Sequence, residues 1–424
     1  MMRMQLRAGR LTDPKAIRLL FGLCWAAYFT TYLGRLNYTA CLVEITAAEG
    51  WTKGEAGLIA TGFFAAYGLG QLVNGFAGDR FSPRIMVALG LGASGLVNLA
   101  FPLLQDPMLA TAVWCANGFV QSMVWSPLVR LFAEWLPAEN RLRACVDLNS
   151  TVPLGTLAAY GMSAGLVFLG NWKLDFFFSG ACLLVMTAVW LKGLGRLEQR
   201  LAPAPEPSAA HREKEPERRV SLWALCVASA MPLCCAALVV QGMLKDGVTT
   251  WIPTFMEEQF HLPAAAAILS TTVVPLINLS GVYLASWVDR HLCKNELRSS
   301  LLLFGAGAAA LALLAVFSGH SAVLAMLLLA LTTTFMMGVN TLLVSMLPSY
   351  YVRYGVCSSA SGILNASAYV GCALSSYGSG AVAELWGWNS IILLWCAGAV
   401  AGAAVCALAA GRWARFRRKV TADQ

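Results

Sequence analysis

The chain has 424 residues, of which 58% are hydrophobic and only 12% are charged. Soluble domains usually carry about 25% charged residues, so this composition excludes an ordinary soluble protein and indicates a polytopic membrane protein. The formal net charge of +8 comes from loops and termini between apolar stretches, which argues against nucleic acid as a partner.

Cysteine and histidine give no sign of a metal, a cofactor or an enzyme. The thirteen cysteines are scattered, mostly inside apolar stretches, and none form a CxxC pair. Such cysteines are most simply small apolar packing residues. The four histidines show no ligand spacing. Because no nucleophile is paired with a base in the pattern, we expect no enzymatic activity.

Twelve apolar segments follow one another, each long enough to cross a bilayer of about 30 Å as a helix. They lie at residues 17–47, 55–78, 84–105, 107–136, 142–168, 172–194, 220–256, 262–288, 299–318, 321–347, 353–382 and 386–410. Alternate loops are rich in lysine and arginine, whereas the loops between them hold Lys53, Lys173 and little else. The positive-inside rule then places both termini in the cytoplasm, as expected for a multi-pass protein of the plasma (inner) membrane.

The longest polar interval, residues 195–219, is rich in proline, alanine and mixed charge. This composition predicts a cytoplasmic linker without a packed core. It divides the chain into two six-segment halves, residues 1–194 and 220–424. We therefore predict an all-α membrane protein of twelve transmembrane helices in two pseudo-symmetric six-helix bundles.

The loops after the second and eighth segments repeat a pattern. The first reads Gly75-x-x-x-Asp79-Arg80-x-x-x-Arg84, and the second reads Ala285-x-x-x-Asp289-Arg290-x-x-x-Lys294. Corresponding positions lie 210 residues apart. Matched loops in two six-segment halves are typical of a parallel repeat in a transporter.

A single arginine, Arg35, interrupts the first apolar segment. At about 1.5 Å rise per residue it lies roughly 25 Å from Arg18 and about 20 Å from Glu49, so neither membrane surface is easy to reach. A cation at this depth costs about 2.5 kcal/mol or more and indicates a function by default. The position 210 residues later is Lys245, so both halves place a cation at an equivalent depth. We expect both cations to bind a substrate anion.

Hydroxyl-bearing residues share the helix face of that arginine. Tyr28 and Tyr32 precede it by seven and three residues, and Tyr38 follows at the next turn. In the second segment, Tyr67 is followed four residues later by Gln71. We expect these five side chains to bind substrate oxygens. The alternative for each tyrosine is aromatic packing, which is common near membrane interfaces.

Charged residues at the cytoplasmic helix ends are predicted to be gating or structural residues, because ion pairs there can lock one conformation and release another. These residues are Asp79, Arg80, Arg84, Arg130, Asp289 and Arg290. Asp147 is expected to pair with Arg143 or with Arg130.

Asp246 directly follows the second-half cation. Neighbouring helical residues point about 100° apart, which argues against a direct Lys245–Asp246 pair and leaves a proton relay open. Asp246, Asp147 and Glu44 are therefore the candidates for carrying a coupled proton.

Several stretches resemble the major facilitator superfamily, and within it the organophosphate:phosphate antiporter family of glycerol-3-phosphate and hexose-phosphate transporters. The repeated Gly-x-x-x-Asp-Arg loop is similar to the superfamily motif. The narrower resemblance is in the tyrosine-rich first helix, the loop Gly50–Gly57, Trp125-x-Pro127-x-x-Arg130, and Leu244-Lys245-x-Gly247. It implies alternating access to a midplane site and exchange of an organophosphate for inorganic phosphate.

The chain departs from the family pattern at four places around that site. Leu36 stands where family members commonly have lysine, and Gln71 where the bacterial glycerol-phosphate type has lysine. Lys245 stands where the family usually has arginine. The fifth-helix histidine has no counterpart in residues 149–152. These departures point to an anion less highly charged than a sugar phosphate.

We therefore predict a monomeric secondary active transporter. It moves a small organic anion, a phosphorylated metabolite exchanged for inorganic phosphate, by alternating access. Two alternatives stay open: a proton-coupled symporter of organic acids, and a membrane sensor of a phosphorylated sugar that signals to a partner.

Overall fold

A computed structural model describes residues 9–169, 171–203, 222–262, 273–317, 319 and 321–422. This described part is almost wholly helical and forms twelve long helical segments, which confirms the all-α prediction. Nine of its helices are long and apolar enough to cross a membrane by length and composition.

Eight α-helices build the six segments of the first half. They are α1 (Pro14–Ala40), α2 (Leu42–Glu49), α3 (Lys53–Gly78), α4 (Pro83–Ala100), α5 (Pro107–Trp135), α6 (Ala138–Asn149), α7 (Thr151–Phe168) and α8 (Trp172–Glu198). The pairs α1–α2 and α6–α7 each form one segment, and a 3₁₀ turn at Phe101–Leu103 extends α4.

Local sequence determines where several of these helices begin. The side chain of Asp13 accepts a hydrogen bond from the backbone N–H of Lys15 at 2.9 Å, and Pro14 occupies the first helical position. Thr52 and Glu55 form a reciprocal capping box at the start of α3. Both arrangements satisfy backbone N–H groups that the first turn of a helix leaves without partners.

The second half is built of seven α-helices. They are α9 (Leu222–Ala228), α10 (Met231–Gly242), α11 (Val248–Phe260), α12 (Val273–Val288), α13 (Glu296–Phe317), α14 (Ala322–Asn340) and α15 (Cys357–Ala422). Short π-helical turns occur at Met243–Gly247, Asp289–Cys293 and Thr341–Met346, and a 3₁₀ segment occupies Leu347–Tyr354. At Gly387, φ is +75°, and this residue divides α15 into the eleventh and twelfth segments.

The first four residues of the predicted linker, residues 195–198, belong to helix α8. Helix α8 continues to Glu198 because Leu194 and Leu197 are fully buried against the bundle. Beyond it, Ala202–Pro203 (β2) pairs antiparallel with Gly9–Arg10 (β1). The remainder of the interval, residues 204–219, lies outside the described residues, so the domain boundaries stay a prediction.

The two halves meet at the end of the bundle that carries the repeated loops, here called the motif-loop end. There α3 packs against α15 so closely that a Cβ on Gly75 would lie 2.8 Å from the Cα of Gly362. A second contact between the halves is the hydrogen bond that Asn149 Nδ2 donates to Thr341 Oγ1 at 2.6 Å. The structure is therefore closed between α3 and α15 at this end.

Candidate functional site

Arg35 is buried inside the first half, with 6% of its surface exposed. Its Nε donates to Gln121 Oε1 at 3.2 Å, and its Nη2 donates to Thr31 Oγ1 at 3.2 Å. A guanidinium has five N–H donors. Three of them therefore have no hydrogen-bond acceptor among the described residues. No described carboxylate forms an ion pair with Arg35.

Three buried amides hold the backbone beside this arginine. The carbonyl oxygen of Gly34 accepts hydrogen bonds from Asn98 Nδ2 at 3.1 Å, Asn117 Nδ2 at 2.9 Å and Gln121 Nε2 at 3.0 Å. A Cβ on Gly34 would lie 2.5 Å from Leu183 Cδ1 and 3.0 Å from the amide nitrogen of Asn98. Glycine is thus needed here for the amides to approach, and Gln121 contacts both the carbonyl and the guanidinium.

Three tyrosine rings surround the guanidinium. The ring centroids of Tyr28, Tyr32 and Tyr67 lie 5.8, 4.5 and 4.8 Å from its central carbon. At these distances the rings attract the cation through their quadrupoles, which stabilises it without supplying a negative charge. The structure brings three of the four predicted tyrosines to Arg35.

Tyr38 is not among them. Its hydroxyl donates to the carbonyl of Ala56 at 2.8 Å, and its ring packs 5.6 Å from both Phe101 and Trp114. Its hydroxyl already has an acceptor and its ring belongs to the aromatic core, so the structure does not bring Tyr38 to Arg35.

Gln71 and Tyr67 have buried polar atoms that lack hydrogen-bond partners among the described residues. Both residues are fully buried. Neither the side-chain oxygen and nitrogen of Gln71 nor the hydroxyl of Tyr67 has a hydrogen-bond partner among the described residues. A buried polar group without a partner costs about 1–3 kcal/mol, so these atoms are suited to binding a ligand that supplies the missing bonds.

Lys245 and Asp246 form a direct ion pair, with Nζ 3.1 Å from Oδ1. The prediction that neighbouring residues would point too far apart to pair was wrong. Both residues lie in the π-helical turn Met243–Gly247. The lysine side chain is long enough to reach the carboxylate of the next residue.

Tyr32 of the first half is an electrostatic neighbour of Arg35 and also of Lys245 in the second half. Tyr369 of α15 approaches from the second half, and its ring centroid lies 4.8 Å from that of Tyr67. The candidate site therefore lies between the halves and is lined by groups from both.

Several residues of this site were missed by sequence reasoning. Asn117 and Gln121 carry a signal, because two amides at i, i+4 in an apolar helix mark one polar face. Gly155, where a Cβ would lie 2.7 Å from the Tyr32 ring, and Tyr369 carry no such signal. Their roles depend on which helices meet, and a single helical pattern does not contain that information.

Asp79 joins the two halves at the motif-loop end. Its two carboxylate oxygens accept hydrogen bonds from the backbone N–H groups of Ser358 at 2.7 Å and Ser359 at 2.8 Å, at the start of α15. A carboxylate at a helix N-terminus is favoured by the helix dipole. Burial raises the pKa of Asp79 above its ordinary value, while hydrogen bonds from Ser359 and Ser358 and the charge of Arg130 oppose this shift.

The arginines predicted around that loop take different positions. Arg130 Nη1 donates to the carbonyls of Gly78 at 2.5 Å and Phe81 at 3.2 Å, so it fixes the loop that carries Asp79. Arg84 pairs with Glu198 at 3.1 Å, and Arg80 is exposed. All three lie at the motif-loop end and away from Arg35, as gating or structural residues would.

The second copy of the loop is arranged differently. Asp289 is buried and accepts a hydrogen bond from Ser299 Oγ at 2.9 Å within its own half. Burial, reinforced by the charge of Glu296, raises its pKa to about 6. Asp147 pairs with Arg143 at 3.7 Å, which confirms one of its two predicted partners, and the exposed Arg290 is its electrostatic neighbour across the halves.

Comparison with known proteins shows the family of this chain. A family model described as Major Facilitator Superfamily matches residues 24–356, and the chain belongs to that superfamily. Its twelve helical segments thus form the major facilitator fold of two six-helix bundles.

Two curated relatives and one solved structure narrow the comparison. A probable hexose phosphate transport protein of Chlamydia pneumoniae is 23% identical over 90% of this chain and 88% of its own length. The membrane sensor protein UhpC of Escherichia coli strain K12 is 23% identical over 87% of each chain. The structure of the proton:xylose symporter XylE superposes with a TM-score of 0.72 at 14% identity, covering 92% of this chain and 95% of that one. This structural likeness concerns the fold alone.

Gln121 is expected to hold Arg35 in a binding geometry, which can be tested by Gln121→Leu. The variant removes the acceptor for Arg35 Nε and one donor to Gly34, so we expect about tenfold weaker binding of inorganic phosphate. Asn117→Leu is the matched control, since Asn117 donates to the same carbonyl but does not contact the arginine. Both purified variants are titrated with inorganic phosphate. An equal loss of affinity in the two variants would contradict this role for Gln121.

Proposed function

We propose that the protein is a secondary active transporter of a small organic anion that carries a phosphoryl group. The observation that carries the proposal is Arg35, a buried guanidinium with no described carboxylate partner and with three N–H donors available. A buried cation is normally paired, because an unpaired charge in a low-dielectric interior is costly. A bound anion would supply the missing partner.

The chemistry of the donors favours a phosphoryl or similar oxyanion. The planar guanidinium of Arg35 can bind two oxygens at once, and Lys245 adds a second cation from the other half. The neutral donors of Tyr67 and Gln71 suit the remaining oxygens. The relative named as a probable hexose phosphate transport protein supports an organophosphate substrate for this chain as well.

Alternating access follows from the position of the site between the halves. The motif-loop end is shut where Asp79 meets the start of α15 and where Gly75 meets Gly362. The distribution of lysine and arginine assigns that end, with both termini, to the cytoplasmic side of the inner membrane. In this state the substrate would reach the site from the opposite side.

Exchange for inorganic phosphate has an electrostatic reason. Lys245 of the second half is paired with Asp246, so without an anion the site keeps the uncompensated charge of Arg35 between the halves. A phosphate carries about −1.5 to −2 charge at pH 7, which neutralises that charge. Reorientation is therefore favoured with an anion bound.

Counterflow in proteoliposomes tests this function. Vesicles loaded with unlabelled phosphate and diluted into labelled phosphate should accumulate label, whereas protein-free vesicles should not. Labelled glucose 6-phosphate should then enter in exchange for internal phosphate. Vesicles that bind these anions but never accumulate label would overturn the proposal.

A sensor is the second candidate, because the chain is 23% identical to the sensor UhpC as well as to the transport protein. A sensor predicts saturable binding of a phosphorylated sugar without counterflow. A proton-coupled symporter of organic acids, with Asp246 or Asp147 as the proton carrier, predicts uptake driven by a pH gradient in vesicles that contain no internal anion.

A further inference from the structure

The last turns of α15 carry a concentrated positive charge. No acidic residue occurs in residues 385–422, whereas five basic residues follow one another closely near the end: Arg412, Arg415, Arg417, Arg418 and Lys419. Such a cluster at the end of a membrane-spanning helix is typical of segments that attract anionic lipids. The tertiary structure decides which of these charges are used inside the protein and which face outward.

One of the five, Arg417, points inward. Its Nη1 donates to Glu296 Oε2 at 3.1 Å and to the carbonyl oxygen of Lys294 at 2.9 Å. Trp413 Nε1 donates to the same carboxylate oxygen at 2.7 Å, and Glu296 is fully buried. These contacts lie directly after the second copy of the repeated loop, so they fix the end of α15 to the bundle at the motif-loop end.

The other four basic side chains are exposed: Arg412, Arg415, Arg418 and Lys419. The opposite face of the same turns is formed by Trp413, Phe416 and Val420, all of which are buried. This part of α15 is therefore an amphipathic helix. Its buried face packs on the bundle and holds the basic face in a fixed position.

The basic face continues the apolar side of α15 that faces lipid. Leu408, which is 71% exposed, precedes Arg412 by four residues and Arg415 by seven, so the three side chains share one side of the helix. Earlier in the helix, Leu393 and Val400 are also exposed. At about 1.5 Å rise per residue, the two arginines lie about 6 and 10 Å beyond Leu408. This is close to the depth of the headgroup layer, which is about 5–8 Å thick on each side of the hydrocarbon core.

We propose that the basic face of α15, formed by Arg412, Arg415, Arg418 and Lys419, is a docking surface for anionic phospholipid headgroups in the leaflet at the motif-loop end. The guanidinium and ammonium groups bind the headgroup phosphates, and the apolar side of the helix contacts the acyl chains. Continuity with that apolar side favours lipid over a soluble partner. Each cation near an anionic surface strengthens binding by about fivefold.

A comparison of two lipids with the same acyl chains tests this surface. The purified full chain in detergent is titrated with phosphatidylglycerol, which is anionic, or with phosphatidylcholine, which has no net charge. Bound lipid is counted by native mass spectrometry. We expect the unmodified protein to prefer phosphatidylglycerol by about tenfold or more, and we expect added salt to weaken this preference. Arg412→Gln combined with Arg415→Gln should lose most of the preference.

Arg143→Gln combined with Lys173→Gln is the matched control, because it removes the same charge from two residues that already form ion pairs. This control should keep the preference, as should Arg412→Lys combined with Arg415→Lys, which retains the charge. If the double glutamine variant does not fold, Arg415→Gln alone makes the test and should lose about fivefold. No preference for phosphatidylglycerol in the unmodified protein, or an equal preference in the glutamine variant, would overturn the inference.

Discussion

Replacing Arg35 with glutamine is expected to abolish phosphate counterflow. The amide of the glutamine can replace Nε opposite Gln121, but the site loses its unpaired cation and retains the Lys245–Asp246 pair, which is neutral overall. Removing one partner from a buried charge pair costs about 3–5 kcal/mol. Initial counterflow rates at a fixed phosphate concentration should therefore fall by about 100-fold or more.

Two further variants distinguish the effect of the lost charge from an effect on folding. Arg35→Lys keeps the charge but loses the planar fork, so it should bind phosphate more weakly than the unmodified protein and more tightly than Arg35→Gln. Lys173→Gln removes one positive charge at a half-buried ion pair with Glu49 far from the site, and it should transport normally. Normal exchange by a well-folded Arg35→Gln would show that Arg35 is structural.

Replacing Gly75 with valine is expected to prevent the motif-loop end from closing. A Cβ at this position would lie 2.8 Å from the Cα of Gly362 and 3.0 Å from the carbonyl oxygen of Ser358, and both are backbone atoms that cannot rotate away. The halves must then separate locally, which removes the hydrogen bonds that Asp79 accepts from the start of α15. Transport should fall by at least about tenfold, since one state of the cycle is destabilised.

A native cysteine reports on this opening. Cys357 is buried at the motif-loop end, where it is an electrostatic neighbour of Asp79. In Gly75→Val it should react with a membrane-impermeant maleimide added from the motif-loop side, as located by peptide mass spectrometry. Gly57→Val is the matched control in the same helix, because a Cβ there meets nothing within 4 Å. Unchanged Cys357 labelling and normal transport in Gly75→Val would show that the close approach is not required.

The membrane class, the twelve segments and the repeated loops could all be predicted from the sequence. Hydrophobic length decides what can cross a bilayer, and a parallel repeat fixes equivalent depths in two halves without any knowledge of packing. The helix face shared by Tyr28, Tyr32 and Arg35 follows from helical periodicity alone.

Other features depended on how the helices meet. The rotation of each helix against its neighbours decides three of them. These are the hydrogen bond from Arg35 to Gln121, the contact of Tyr369 with Tyr67, and the place of Tyr38 in the aromatic core. Periodicity defines a face but not its partner, because many helix arrangements share the same faces.

The net charge of the site also depends on the tertiary structure. A regular helix would point Lys245 and Asp246 about 100° apart, yet the two side chains form an ion pair within the π-helical turn. Likewise the two loop aspartates are equivalent in sequence, yet Asp79 reaches across to α15 and Asp289 stays within its own half. The sequence alone determines which charges this membrane protein carries at depth. Packing decides which of them remain uncompensated, because neutralisation requires atoms within a few ångströms of each other.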